Sequence, residues 1–188
     1  MIVNHHKEKA FNAISYFVNH TSACNKKKLF KLLFLLDFEH FEQTGRSVTG
    51  YDYFAWDMGP VPAELHETIE NPDQEFLDNF DIERIPMPDG YRNAISLKNK
   101  KPFEEKYFSK RELKMLKDIS DRFHDSYGKE LEDFTHREGT PWYRVWEGEK
   151  RKYKEIPYEY VLDGLPEADR EAVIEIAKER AVFLANYS

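Results

Sequence analysis

The sequence predicts a mainly α fold (α+β): a compact helical core around one central apolar helix, with a small antiparallel β-element attached. Three observations carry this expectation. Residues 25–44 hold Leu29, Phe30, Leu32, Leu33, Phe34, Leu35, Leu36, Phe38 and Phe41, an apolar surface on most sides of one helix, which belongs mid-core with others packed round it. The segments at 5–20, 109–123 and 166–186 repeat apolar residues at helical spacing. Between Asp52 and Met58 the period changes to two, the mark of a half-buried strand.

In order, Phe11, Ile14, Phe17 and Val18 place one buried stripe on the first helix. Asn25 is suited to cap the second, and Gly45 to end it in a left-handed conformation. Lys26, Lys27, Lys28 and Lys31 crowd the positive end of that helix and are expected to be solvated. In the strand, Phe54, Trp56 and Met58 form the apolar side, and residues 46–49 are available to pair with it through a turn at Gly50. Gly59 and Pro60 then make a bend, with Pro62 in the first turn of the next helix. Two short strands, 81–85 and 94–97, are joined by a Pro-Asp-Gly turn at 88–90. Ser109 and Glu112 form a capping box ahead of Leu113, Leu116, Ile119 and Phe123, and a shorter helix follows Gly128. The last helix carries Val173, Ile176, Ala177 and Leu184 on one stripe; packing against its own core is the expected arrangement, and a homodimer through the stripe is the other.

A chain of 188 residues supports one core, so a single domain, 1–188, is expected. The apolar run around residues 29–36 is interrupted by Lys31 and Asp37, far short of the roughly 20 residues a membrane span needs. No secretory signal opens the chain and Cys24 is the single cysteine, which together favour the cytoplasm. A net charge of -7 argues against direct nucleic-acid binding. The charge is local: residues 63–83 hold eight acidic side chains and no Lys or Arg, either a solvated surface or an attraction for a basic partner.

The tests for chemistry return nothing. His66-Glu67-x-x-Glu70 lacks the second imidazole of a zinc helix, and His20 and Cys24 have no second pair of ligands. Neither a nucleophile elbow nor a glycine-rich phosphate loop occurs. Asp37, a carboxylate in an apolar helix, must find a partner, and a structural hydrogen bond or ion pair is the reading taken over catalysis. No enzyme activity, cofactor or metal is expected.

Five segments in order then resemble the Panacea domain, a family that includes SocA-like antitoxins: Lys31 to Phe38, Gly45 to Gly50, Tyr51 to Trp56, Gly59 to Leu65, and Thr135 to Trp142. The likeness runs from about residue 5 to about residue 150, and Asp37, Gly45, Gly50, Trp56, Gly59, Pro60, Pro62, His136 and Trp142 are its marker residues, read as structural. What the resemblance implies is a non-enzymatic antitoxin, associated in this family with bacterial and phage toxin–antitoxin pairs, that neutralises a cognate protein toxin by direct contact. Family toxins include translation inhibitors that modify tRNA and short membrane-active peptides, and the sequence does not choose between them. A proteolytic adaptor, or an enzyme that reverses the toxin's modification, are the alternatives. Glu64, Glu67 and Glu70, three apart on one helical side, are the expected partner contacts.

Overall fold

The structure is a computed structural model that describes residues 5–86, 93–126 and 128–187, without the side chains of Leu184 and Tyr187. Helix α1 (His6–His20) and helix α2 (Lys26–Thr44) are followed by a hairpin of β1 (Tyr53–Trp56) and β2 (Gly59–Pro62), then α3 (Ala63–Glu70) and α4 (Gln74–Asn79). A second hairpin, β3 (Phe80–Pro86) and β4 (Asn93–Asn99), leads to α5 (Lys110–Arg122) and α6 (Gly128–His136). A short α7 (Pro141–Tyr143) runs into a π-helical turn at Arg144–Gly148. A 3₁₀ segment at Tyr158–Gly164 precedes α8 (Glu167–Tyr187). The fold is mainly α with a small β element, as the sequence predicts.

Helix α2 is the axis, as its composition demands. Leu29, Phe30, Leu32, Leu33 and Leu36 are all essentially inaccessible, with α1, α5, α6, α8 and the first hairpin packed around them. Asn25 Oδ1 accepts the Lys28 amide at 3.1 Å, and Gly45 closes the helix at φ 65°. Gly45 also permits contact with α8: a Cβ there would lie 2.8 Å from the Val173 carbonyl oxygen. The capping box of α5 forms as expected, with Ser109 N–H donating to Glu112 and Glu112 N–H to Ser109.

Four expectations need correction. Lys28 and Lys31 are not solvated: they are 3% and 2% exposed. Lys28 Nζ donates to the carbonyls of Ser22 (2.7 Å) and His124 (2.9 Å), because the helix start is roofed by the turn after α5. Residues 46–49 do not pair with β1; its partner is β2, with Tyr53 opposite Pro62 and Trp56 opposite Gly59. Gly-Pro-Val-Pro is thus a buried strand before it is a helix start, and Pro62 is the N-cap of α3, one position earlier than the sequence suggests. The inward face of β1 is also the opposite one, since Tyr53 and Ala55 are fully buried while Phe54 and Trp56 are half-buried. Tyr53 turns in because its hydroxyl is drawn to Asp37.

The prolines are tolerated for a geometric reason. Tyr53 and Ala55 direct their backbone groups to residues 153–156: Ala55 N–H donates to Lys154, Tyr153 N–H to Ala55, and Ile156 N–H to Tyr53. Alternation then assigns the pairing toward β2 to Phe54 and Trp56, opposite Val61 and Gly59, so the absent amides of Pro60 and Pro62 fall where β1 offers no acceptor. In the second hairpin Phe80 opposes Asn99 and Pro86 opposes Asn93, longer than the predicted strands. The Pro-Asp-Gly turn at 88–90 lies outside the described residues. On α8, Val173 and Ala177 pack beside Gly45 at the end of α2, but Ile176 is 42% exposed, so the stripe is only partly covered; Val182 and Phe183, off the stripe, are 62% and 38% exposed.

Candidate functional site

The marker segments converge on two buried points beside α2. At the first, Asp37 is fully buried and its carboxylate is saturated. Oδ1 accepts the amides of Val48 and Thr49, each at 2.7 Å; Oδ2 accepts the Thr49 hydroxyl and, at 2.7 Å, the Tyr53 hydroxyl. Burial pushes the carboxyl up to about 6, against the lowering effect of those four donors. This knot ties the Thr-Gly link and β1 to the central helix. Gly50, next along the link, turns at φ 79°, and a Cβ there would meet the His6 ring at 2.8 Å.

The second point was not visible in the sequence as a unit. Gly59 has φ 115°, and a Cβ at that position would stand 3.0 Å from both His136 Nε2 and Lys31 Cε. The His136 ring lies flat on Trp142, with centroids 3.7 Å apart and planes 7° apart, and Trp142 Nε1 donates to the Trp56 carbonyl at 2.9 Å. His136 Nε2 is buried without a hydrogen-bond partner. Lys31 makes neither hydrogen bond nor ion pair with the described residues; burial lowers its ammonium to about 8, with Glu132 acting the other way. Burial, and then the Lys31 charge, also lowers the His136 imidazole. One residue each from the α2, Gly-Pro-Val-Pro and His-x-Glu-Gly segments therefore share a site. With Lys31 2% exposed, its geometry is that of a packed joint.

The acidic stretch is less bare than its sequence. Lysines from α1, α2, β4 and the turn after β4 reach it: Lys7 pairs with Glu75, Lys26 with Glu70, Lys98 with Glu83 and Lys100 with Asp81. Glu64, Glu67, Asp73 and Asp78 make no ion pair with the described residues, although Lys7 acts on Asp73 and Glu64 at longer range. On α3, Glu64 and Glu67 face out, and Glu67 accepts from Asn71 Nδ2 at 2.7 Å. Glu70 is half-buried against Lys26, which holds its carboxyl below the usual range. The expected trio thus divides into two outward carboxylates and one internal ion pair. His66 of the same helix lies between the rings of Trp56 and Phe30, 4.9 and 6.1 Å away. Buried Cys24 has its thiol pushed up by burial.

Among the described residues no helix is long and apolar enough to cross a membrane. No curated protein and no solved structure matches the chain. A family model, antitoxin SocA-like, Panacea domain, matches residues 29–143, a span that contains both buried points and the outward face of α3. The chain therefore belongs to the SocA-like Panacea-domain family, and that membership supports an antitoxin role.

Proposed function

We propose that this protein neutralises a co-encoded protein toxin in the cytoplasm by direct protein–protein contact, without chemistry of its own. Family membership supports the class, and one observation carries the mode of binding: Glu64 and Glu67 stand outward on α3 without an ion pair to any described residue, Lys7 acting on Glu64 only at longer range while it pairs with Glu75. Helix α3 is a rigid platform for them, launched from β2 and anchored by Leu65 and Ile69, which are fully buried. A toxin that acts on tRNA carries a basic surface, and opposed charges would speed encounter and fix orientation. Glu70 contributes less directly, since its charge is already engaged by Lys26.

The first test is co-purification of the chain with the product of its neighbouring reading frame. Stable association is expected; protection of cells without association would sink the binding mechanism and favour repair of the toxin's product. The second is Glu64→Lys with Glu67→Lys, measured at low salt, where about a tenfold or greater loss of affinity is expected from two like-charge contacts. Unchanged affinity would remove α3 from the interface.

A further inference from the structure

A cavity of about 1020 Å³ is bounded by the starts of α1 and α5, the end of α2 and the middle of α8, with no residue of α3 in its lining. Its charge runs against that of the chain. Lys9, Arg46, Arg111 and Arg180 line it, against two carboxylates, Glu112 and Glu159. Glu112 is committed: it accepts from Lys9 Nζ and from the Ser109 amide at 2.6 Å. The side chains of Arg46, Arg111 and Arg180 make no ion pair or hydrogen bond with any described residue. In a protein of net charge -7, three guanidinium groups from three separate segments, Arg46 and Arg111 exposed and Arg180 half-buried, with no carboxylate partner among the described residues, concentrate positive charge that an anion can engage.

Two further features point the same way. Helix α5, 13 residues long, opens on this cleft at Ser109 and Arg111; its capping box engages the Ser109 and Glu112 amides, and the positive end of its dipole still favours an anion nearby. The mixed lining also includes Phe41, Ala177 and Ala181, apolar side chains that suit an uncharged portion of a ligand better than bare phosphate. The volume lies at the upper end of small-molecule pockets, roughly 300–1,000 Å³, so a single phosphate would leave most of it empty.

We infer that this cleft binds a nucleoside polyphosphate, with Arg46, Arg111 and Arg180 on the phosphates and the apolar side chains against the nucleoside. The inference is independent of toxin binding and is tested on the full chain alone. Calorimetric titration at low salt would use ATP, inorganic pyrophosphate, sulfate at matched ionic strength, and a short 5′-phosphorylated RNA. Saturable one-to-one binding of ATP is expected, stronger than sulfate, and weakened about tenfold or more by Arg111→Gln with Arg180→Gln. The milder Arg46→Gln, outside any helix, should weaken it in the same direction and covers the case in which the double variant misfolds. ATP binding that is no tighter than sulfate, or unchanged in these variants, overturns the proposal. So does RNA bound more tightly than ATP with the same arginine dependence, which would make the cleft a nucleic-acid contact.

Discussion

Asp37→Ala would remove the acceptor of four buried donors: the Val48 and Thr49 amides and the Thr49 and Tyr53 hydroxyls. Each buried donor left without a partner costs about 1–3 kcal/mol, so the loss is at least about 4 kcal/mol, against a net stability of about 5–15 kcal/mol. For a chain of this size that is a fall in Tm of roughly 8–16 °C, measurable by scanning calorimetry. Asp37→Asn keeps Oδ1 for both amides and sets an NH₂ against two hydroxyls that must turn round, a smaller cost of about 1–3 kcal/mol. The two variants also separate the charge from the acceptor. A folded-state carboxyl at about 6, above its ordinary 3.8, means that the folded chain takes up a proton first. Stability from this group is then fully present below the unfolded value and is lost as pH rises through about 6, by up to about 3 kcal/mol. The wild type should therefore gain on Asp37→Asn as pH falls from 7 to 4. A Tm for Asp37→Ala within about 2 °C of wild type, or a difference from Asp37→Asn that is flat over that range, would refute the reasoning.

Three other outcomes are expected. Gly59→Ala forces a side chain to φ 115° and 3.0 Å from His136 and Lys31, and should lower stability by about 1–3 kcal/mol in urea unfolding. Lys31→Met should raise stability at pH 7, because an ammonium lowered to about 8 opposes folding while it is charged. That penalty, up to about 3 kcal/mol, is lost as pH rises from 8 toward 10.5, so the advantage of Met should close by about pH 10; a variant less stable than wild type at pH 7 would show that Lys31 has a partner in solution. Ser109→Ala removes half of the α5 capping box and should cost about 1 kcal/mol by the same urea measurement.

The parts of the fold legible in sequence are those set by local signals. The surface of α2, the Asn25 and Gly45 caps and the Ser109–Glu112 box depend on residues within a few positions of one another, and each forms as read. What escaped depends on distant partners. The face of β1 is decided by Asp37, 16 residues before Tyr53, so alternation among aromatics that are apolar on both sides pointed to the wrong face. Lys28 is buried because carbonyls of Ser22 and His124 meet it, and nothing near Lys28 announces them. The acidic run read as continuous because its lysines arrive from other elements. The arginine-lined cleft had no sequence signal at all, since its cations lie on segments 65 and 69 residues apart.

The marker residues and the proposed contacts also differ in what a substitution would change. Asp37, Gly59 and Trp142 are buried where secondary-structure elements join, whereas Glu64 and Glu67 face water on a helix anchored from below. A change at the joints shifts the fraction of chains that are folded, and a toxin that binds only the folded form would pull that equilibrium back by mass action. Such variants should fail in cells through lowered abundance, yet retain wild-type affinity once corrected for folded protein. A change at Glu64 or Glu67 should do the reverse, leaving Tm in place while raising Kd and its dependence on salt. Measuring both quantities on the same preparations assigns each residue to fold or to contact. A joint variant with unaltered Tm and weakened toxin binding would place Gly59 and His136 in the interface itself.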